Sequence, residues 1–433
     1  MKRKNVVLTG VLCAVFALSS QLFVAAPAMA KKKEEEKKVD PLTKALKEKY
    51  PKHKTKVASP KVGKKVFEAY DLYSADQVKE ALDLLMDLEP KSEFDKAYLN
   101  RFIGSLMAGE EGKTKDAIGY IKKAVAPAVL NPREQAEGLK LLGDLQMQEK
   151  MYTEAIASYK AWMEYTGIED KNVYVRMAQA SYELERYADM IPLADKAIAI
   201  ADKPDKNPYV LKLSSYYERK QYKNSVKVLE QLVSLFPEDE KWWAQLGMFY
   251  MLVDDYEKAL ATMDLAYKKG LYSKENQFKA LSQLYYNQNI PYKSAQVLEK
   301  HVNNGDVKRD EKMLTQIANG YRGSKNFDKA AKFYGEAAKL SGDGDLYRKQ
   351  ASMYLMIEEY NLAIAAAKNA IKSGVEKKGS ANMMIAEAYL YKKDLKSAHT
   401  YATRAANDPS TRKTAKGWAN YIKSKATQQG IAL

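Results

Sequence analysis

Trp242-Trp243-Ala244-Gln245-Leu246-Gly247-Met248-Phe249-Tyr250, with Asp255-Tyr256-Glu257-Lys258-Ala259-Leu260 after it, decides the fold. Four residues of the first part recur at i, i+3, i+4 and i+7, which places them on one helix face: Trp243, Leu246, Gly247 and Tyr250. The second part repeats this spacing in Tyr256, Ala259, Met263 and Ala266. Gly247 and Ala259 are small enough to let two helix backbones approach closely. The stretch therefore predicts an antiparallel helix pair.

The same pattern recurs along the chain. The small residue of each second helix stands at Ala81, Ala117, Ala155, Met190, Ser225, Ala259, Ser294, Ala330, Ala363 and Ala398, in steps of 33 to 38 residues. In six of these ten places a tyrosine stands nine positions earlier, at Tyr216, Tyr250, Tyr285, Tyr321, Tyr354 and Tyr389. One pair cannot bury all its apolar surface alone, so the repeats are expected to stack.

A period near 34 with W-x-x-L-G-x-x-Y, followed by A-x-x-x-F/Y, resembles the tetratricopeptide repeat (TPR) family. The resemblance covers residues 62–410 and implies an all-α fold, a right-handed α-solenoid of about ten helix-turn-helix repeats. Residues 411–433 hold one more helix without a partner, with Ala415, Trp418, Tyr421 and Ile422. Because a stack needs an end element with one polar face, we predict that this helix is a C-terminal cap.

The start of the chain has the pattern of a secretory signal peptide over residues 1–30. Basic Met1-Lys2-Arg3-Lys4 precedes an apolar run, and Ala28-Met29-Ala30 closes it, which predicts cleavage after Ala30. The alternative is a retained membrane anchor. The only cysteine, Cys13, would leave with the signal, and bulky Leu12 before it is unlike a lipoprotein signal. We expect a periplasmic protein without disulfides.

The excess positive charge is concentrated near the amino terminus. The chain carries a formal net charge of +16, and residues 31–65 alone hold 14 lysines against 5 acidic residues. Such a composition buries little apolar area, so residues 31–61 are predicted to be a Lys-rich flexible segment. It is a solvated spacer or makes weak contact with an anionic membrane or cell wall. Nucleic acid is not an expected partner of an exported chain.

The residues that carry catalysis are scarce. The three histidines, His53, His301 and His399, do not stand at metal-ligand spacing. The stretch 107–114 ends in Gly112-Lys113-Thr114, but a phosphate-binding loop needs glycine where Met107 stands. We therefore expect no enzyme, no cofactor and no metal site.

The sequence instead predicts that this chain binds a protein partner. In the TPR architecture the first helices line the concave face, and residues offset from the apolar signature point into it. Amides, tyrosines, methionines and arginines dominate these positions and suit an extended peptide. The candidate partner-binding residues are Gln179, Tyr182, Tyr217, Met248, Met251, Gln283, Tyr286, Asn287, Asn319, Arg322, Arg348 and Tyr391.

One segment carries a narrower resemblance. Residues 236–302 include Trp243-Ala244-Gln245-Leu246, Lys258-Ala259-Leu260-Ala261 and Ile290-Pro291-Tyr292-Lys293. They resemble periplasmic repeat proteins associated with TonB–ExbB–ExbD systems. This implies an accessory of TonB-dependent energy transduction and iron–siderophore uptake, with TonB, ExbB or ExbD as partners. The alternatives are a scaffold for envelope assembly, in outer-membrane protein or polysaccharide export, and a regulatory subunit of a periplasmic hydrolase.

Overall fold

The computed structural model describes residues 40–433, and the predicted signal peptide lies outside them. The described residues contain twenty-two α-helices, a 3-10 turn at Tyr187–Asp189 and no strand. The helices are α1 Pro41–Lys49, α2 Pro60–Ser74, α3 Val78–Met86, α4 Glu93–Met107, α5 Thr114–Val125, α6 Pro132–Gln148, α7 Tyr152–Thr166, α8 Lys171–Glu183, α9 Met190–Ala199, α10 Lys206–Glu218, α11 Tyr222–Leu235, α12 Glu240–Leu252, α13 Tyr256–Lys268, α14 Glu275–Asn287, α15 Pro291–Asn304, α16 Glu311–Gly323, α17 Phe327–Ser341, α18 Gly344–Met356, α19 Tyr360–Lys372, α20 Lys378–Tyr391, α21 Leu395–Ala405 and α22 Arg412–Gln428.

The helices from α2 to α21 follow the predicted repeats, two helices to each. The chain divides into two compact units, the first ending at Glu218 and the second beginning at Arg219. Within each unit, successive helices from α2 onward pack against one another, and α1 packs on α6 and α7. The predicted all-α, TPR-type α-solenoid architecture is confirmed. The division falls inside the stretch 62–410 that the TPR resemblance covers. In repeat arrays each repeat depends mainly on its neighbours, so one sequence pattern does not fix one compact unit.

The turn inside each of the ten helix pairs contains one residue in the left-handed conformation. The residue five places before the small one has positive φ, at Asp76, Gly112, Lys150, Glu185, Lys220, Asp254, Asn289, Lys325, Glu358 and Lys393. In eight of the ten repeats the next N–H in the chain then donates to a carbonyl five residues back, as from Asp255 to Tyr250 at 2.8 Å. This Schellman-type closure satisfies a carbonyl at the helix end, which offsets the cost of the left-handed residue. In the six repeats that carry the signature tyrosine, the left-handed residue thus lies four positions after it.

Small residues mark close helix contacts, as predicted. A Cβ atom on Gly247 would lie 2.5 Å from Cγ of Met263, on the second helix of the same pair. A Cβ on Gly320 would lie 2.8 Å from the Pro291 carbonyl oxygen and 2.9 Å from Cβ of Ala295. Gly247 meets a flexible side chain, whereas Gly320 meets backbone that cannot move aside. Of these two contacts, the one between α15 and α16 is therefore less able to accommodate a larger side chain.

Residues 40–61 differ from the flexible spacer that we expected over residues 31–61, of which residues 31–39 lie outside the described part of the chain. Residues 41–49 form α1, with Pro41 in the first turn and Asp40 capping it by accepting from the Thr43 N–H. Leu46 is buried against Trp162 and other core residues of α6 and α7. This helix forms because Leu42, Leu46 and Tyr50, at i, i+4 and i+8, make an apolar stripe that packs on the core. The sequence prediction missed the stripe because the surrounding lysines dominate the composition of the segment.

The chain after α1 is also held by specific contacts. The Tyr50 ring stacks on Tyr165 with centroids 5.1 Å apart, and its hydroxyl donates to the Tyr165 carbonyl at 3.0 Å. Asn131 accepts from the Lys56 N–H at 2.9 Å and donates to the Lys56 carbonyl at 3.1 Å. The Ser59 N–H donates to Asp95 at 2.9 Å. Residues 40–59 are therefore part of the first unit.

The carboxyl-terminal cap is confirmed. Helix α22 packs on α21, with Ile422 and Ala426 fully buried beside Ala398. Tyr421, on the other side, is 56% exposed. Among the described helices, none is both long and apolar enough to cross a bilayer.

Candidate partner-binding surfaces

The twelve predicted binding residues all lie on first helices of the repeats, from α8 to α20. Six of them are exposed: Met248, Gln283, Tyr286, Asn287, Arg322 and Tyr391. The other six are half-buried: Gln179, Tyr182, Tyr217, Met251, Asn319 and Arg348. Since each presents some surface to solvent, each stays a candidate contact, and the binding role itself stays a prediction.

The structure brings three of these residues, Tyr286, Asn319 and Arg322, around one buried hydroxyl. Tyr334 on α17 is fully buried, and its hydroxyl donates to Oδ1 of Asn319 at 2.6 Å. Burial raises the pKa of the Tyr334 hydroxyl, and the positive charge of Arg322 opposes that shift while Tyr286 adds to it. We call Tyr286, Asn287, Asn319 and Arg322 the first-helix cluster. It joins two adjacent repeats through α14 and α16.

Two members of the first-helix cluster have one side of their amide occupied. Gln283 donates to Oδ1 of Asn287 at 2.8 Å, as Tyr334 does to Asn319. Both asparagine carbonyls are thus engaged as acceptors within the protein, and the amide N–H groups are the donors left to face a partner. Arg322 forms no ion pair within residues 40–433.

Other predicted residues also have contacts inside the protein. Arg348 donates to Asp345 at 2.8 Å in the same helix. Tyr391 stacks on Tyr360, with centroids 5.3 Å apart and planes 11° from parallel. Tyr182 lies edge-on to Tyr187 at 5.5 Å. The structure does not join these residues to the first-helix cluster, so the predicted set is several local patches.

A groove on the second-helix side of the repeats escaped the sequence prediction. Its volume is about 530 Å³. It lies along α15, between α13 and α17, and we call it the α15 groove. Its lining residues are Asp264, Tyr267, Lys268, Tyr285, Lys293, Gln296, Val297, Glu299, Lys300, Asn303, Tyr321 and Lys329. The sequence signal was the spacing of exposed polar residues on α15, but the prediction weighed only first helices.

Three of the six signature tyrosines donate hydrogen bonds to carboxylates of the preceding repeat. The Tyr250 hydroxyl donates to Glu230 at 2.6 Å, Tyr285 donates to Asp264, and Tyr321 donates to Glu299. Each carboxylate stands five residues after the small residue of its helix. These bonds hold the three tyrosines in place, and two of the tyrosines, Tyr285 and Tyr321, line the α15 groove.

We expect Tyr321→Phe to change how stability depends on pH. Burial and the bond to Glu299 raise the pKa of Tyr321 to about 12, from the ordinary tyrosine value of about 10. The unfolded chain therefore ionises this hydroxyl first, and the stability it contributes is lost as pH rises from about 10 to about 12. Urea unfolding of Tyr321→Phe should show a free energy about 1 kcal/mol lower at neutral pH. Its decline over the alkaline range should be shallower than in the wild type.

Tyr421→Phe is the control for this measurement, because Tyr421 is exposed on α22 and has no carboxylate bonded to its hydroxyl among the described residues. It should keep both the neutral-pH stability and the alkaline decline of the wild type. An equally steep alkaline decline in Tyr321→Phe and the wild type would contradict the role of the Tyr321 hydroxyl.

His301 packs among aromatic side chains of α13 and α14. It is buried and stacks on Phe278, with ring centroids 3.6 Å apart. Its Nδ1 lies 2.7 Å from Asp306, and its Nε2 lies 3.0 Å from the Tyr267 hydroxyl. Over residues 40–433 no three His, Cys, Asp or Glu residues are grouped to hold a metal ion.

Comparison with known proteins finds partial similarities. The family model described as ChAPs (Chs5p-Arf1p-binding proteins) matches residues 172–361. Serine/threonine-protein phosphatase 5 of Mus musculus is 28% identical over 135 residues, which is 30% of this chain and 26% of that protein. The Rattus norvegicus protein of the same name matches equally. The chain thus spans about a quarter of the length of the curated relatives it matches.

Among solved structures, MamA 41-end from Desulfovibrio magneticus RS-1 is similar with a TM-score of 0.33 and 20% identity, over 41% of this chain and 96% of that one. The C-terminal part of a TPR repeat-containing protein from Cytophaga hutchinsonii has a TM-score of 0.34 and 16% identity. That similarity covers 55% of this chain and 96% of the other.

Proposed function

We propose that this chain is a periplasmic scaffold that binds protein partners, and that it is an accessory of TonB-dependent energy transduction and iron–siderophore uptake. The observation that carries the scaffold proposal is the first-helix cluster. Polar and aromatic side chains from two adjacent repeats converge there on a side of the helices that solvent can reach. The signal-like start of the chain supports the location, and the resemblance over residues 236–302 supports the TonB association.

An extended segment of a partner suits the chemistry of the first-helix cluster. The amide N–H groups of Asn287 and Asn319 can donate to the partner's backbone carbonyls. Tyr286, 45% exposed, offers an aromatic face to an apolar side chain. Arg322 can bind a carboxylate through two N–H donors. Because these contacts come from two helices, the partner must span both repeats.

Site-specific crosslinking in intact cells tests this proposal. A photo-crosslinking residue placed at Asn287 should capture an envelope protein, and mass spectrometry of the product should identify TonB, ExbB or ExbD. The matched control is the same residue at Asn369, exposed on second helix α19, which should capture far less. Equal capture at both positions would contradict a binding face on the first helices. Capture of export or assembly proteins would instead contradict the TonB association and leave the scaffold in place.

A further inference from the structure

The exposed side of α15 carries a regular stripe of polar side chains. Lys293, Gln296, Lys300 and Asn303 stand at i, i+3, i+7 and i+10, and all four are exposed. That spacing keeps them on one face of the helix. At 1.5 Å per residue the stripe is about 15 Å long, the reach of roughly five residues of extended chain.

The carboxylates of the α15 groove are already neutralised inside the protein. Asp264 pairs with Lys268 at 2.6 Å and also accepts from Tyr285. Glu299 pairs with Lys329 at 2.9 Å. Burial raises the pKa of Asp264, but hydrogen bonds from Lys268 and Tyr285, with the charges of Lys268 and Lys293, outweigh it and hold that pKa below its usual range. The two acids therefore leave little negative charge to repel an anionic ligand.

Two lysines of the stripe remain as unpaired cations. Neither Lys293 nor Lys300 forms an ion pair within the part of the chain that the structure describes. The Lys293 ammonium lies 5.5 Å from the ring centre of Tyr285, and that of Lys300 lies 5.6 Å from the ring centre of Tyr267. The aromatic faces favour these positions without neutralising the charge. The groove thus presents two positioned positive charges about two helical turns apart.

We propose that the α15 groove binds an acidic, extended segment of a protein partner, at a surface separate from the first-helix cluster. Seven residues along the helix place Lys293 and Lys300 about 10 Å apart. In a polyproline II segment, side chains three residues apart point the same way and lie about 9 Å apart. The groove therefore selects acidic residues at i and i+3. Gln296 and Asn303 stand between and beyond the lysines, where amides bond the segment's backbone.

Fluorescence anisotropy with two labelled peptides tests this proposal on the full chain. One peptide carries a Glu-Pro-Pro-Glu core, and the other has the same composition with the glutamates adjacent. The first should bind the wild type more tightly. The double variant Lys293→Gln, Lys300→Gln should weaken its binding about tenfold, and added salt should shrink that difference, because both contacts are ionic.

The control double variant is Lys312→Gln, Lys372→Gln, which removes the same charge from exposed positions on α16 and α19. It should change binding less than about twofold, since neither residue lines the groove. Similar losses in both double variants would overturn the proposal in favour of general charge attraction. Equal affinity for both peptides would overturn the i, i+3 selection.

A third arm separates a protein partner from a membrane. Vesicles containing phosphatidylglycerol should bind the wild type no better than they bind the Lys293→Gln, Lys300→Gln variant. Vesicle binding that requires these lysines, without peptide binding, would overturn the acidic-segment proposal. Because this experiment leaves Arg322 and Asn287 unchanged, its failure is distinguishable from a failure of the proposed scaffold function.

Discussion

Replacing Gly320 with leucine is expected to lower the free energy of unfolding by about 3 kcal/mol. A side chain at this position meets the Pro291 carbonyl oxygen at 2.8 Å and the Ala295 N at 3.2 Å. Those atoms belong to the backbone of α15, so relief requires α15 and α16 to separate. The loss of packing then exceeds the helix propensity of about 1 kcal/mol that leucine gains over glycine. Urea unfolding followed by circular dichroism measures the change.

Gly417→Leu is the matched control, because a Cβ on Gly417 meets nothing within 4 Å on the exposed side of α22. The same substitution there should raise stability by up to about 1 kcal/mol. Gly247→Leu should fall between the two, since Met263 can change rotamer to make room. If Gly320→Leu unfolds at the wild-type urea concentration, then α15 and α16 do not pack as closely as the structure shows.

The repeats could be predicted because several independent signals agree at each of them. At Tyr250 and Ala259, the apolar spacing, the small residue and the turn all indicate one helix pair, and the structure confirms it. In nine of the ten repeats the left-handed turn residue is not glycine. Residue type alone therefore did not indicate its conformation. It is fixed by the geometry of the Schellman closure and follows from the period once the helix ends are known.

Helix α1 and the α15 groove could not be predicted with the same certainty, for two physical reasons. The α1 stripe of Leu42, Leu46 and Tyr50 is short, and its stability comes from contacts with α6 and α7 that are distant in sequence. The groove depends on side-chain direction. The sequence shows Glu299 and Lys329 thirty residues apart, but only the packing of α15 beside α17 brings them within 2.9 Å. Both features arise from contacts between residues that are distant in sequence.

Arg322→Glu is expected to weaken partner capture about a hundredfold. The substitution replaces a cation that binds a carboxylate by an anion that repels it, and a charge pair at such a contact contributes a few kcal/mol. Arg322 is exposed in the last turn of α16, where its positive charge interacts favourably with the negative end of the helix dipole. Glutamate there should therefore cost up to about 1 kcal/mol of stability, and the fold should remain.

Lys332→Glu is the matched control for this loss, because it makes the same charge change on α17, the second helix of the same repeat. It should leave capture within about twofold of wild type, since an exposed charge far from the contact is screened by salt. Arg322→Gln, which removes the cation without adding an anion, should lose less affinity than Arg322→Glu. Under the TonB proposal, Arg322→Glu should slow growth on iron–siderophore complexes and spare growth on abundant free iron. Undiminished capture of the crosslinked partner by Arg322→Glu would show that the partner binds elsewhere, and the α15 groove would then be the surface to test.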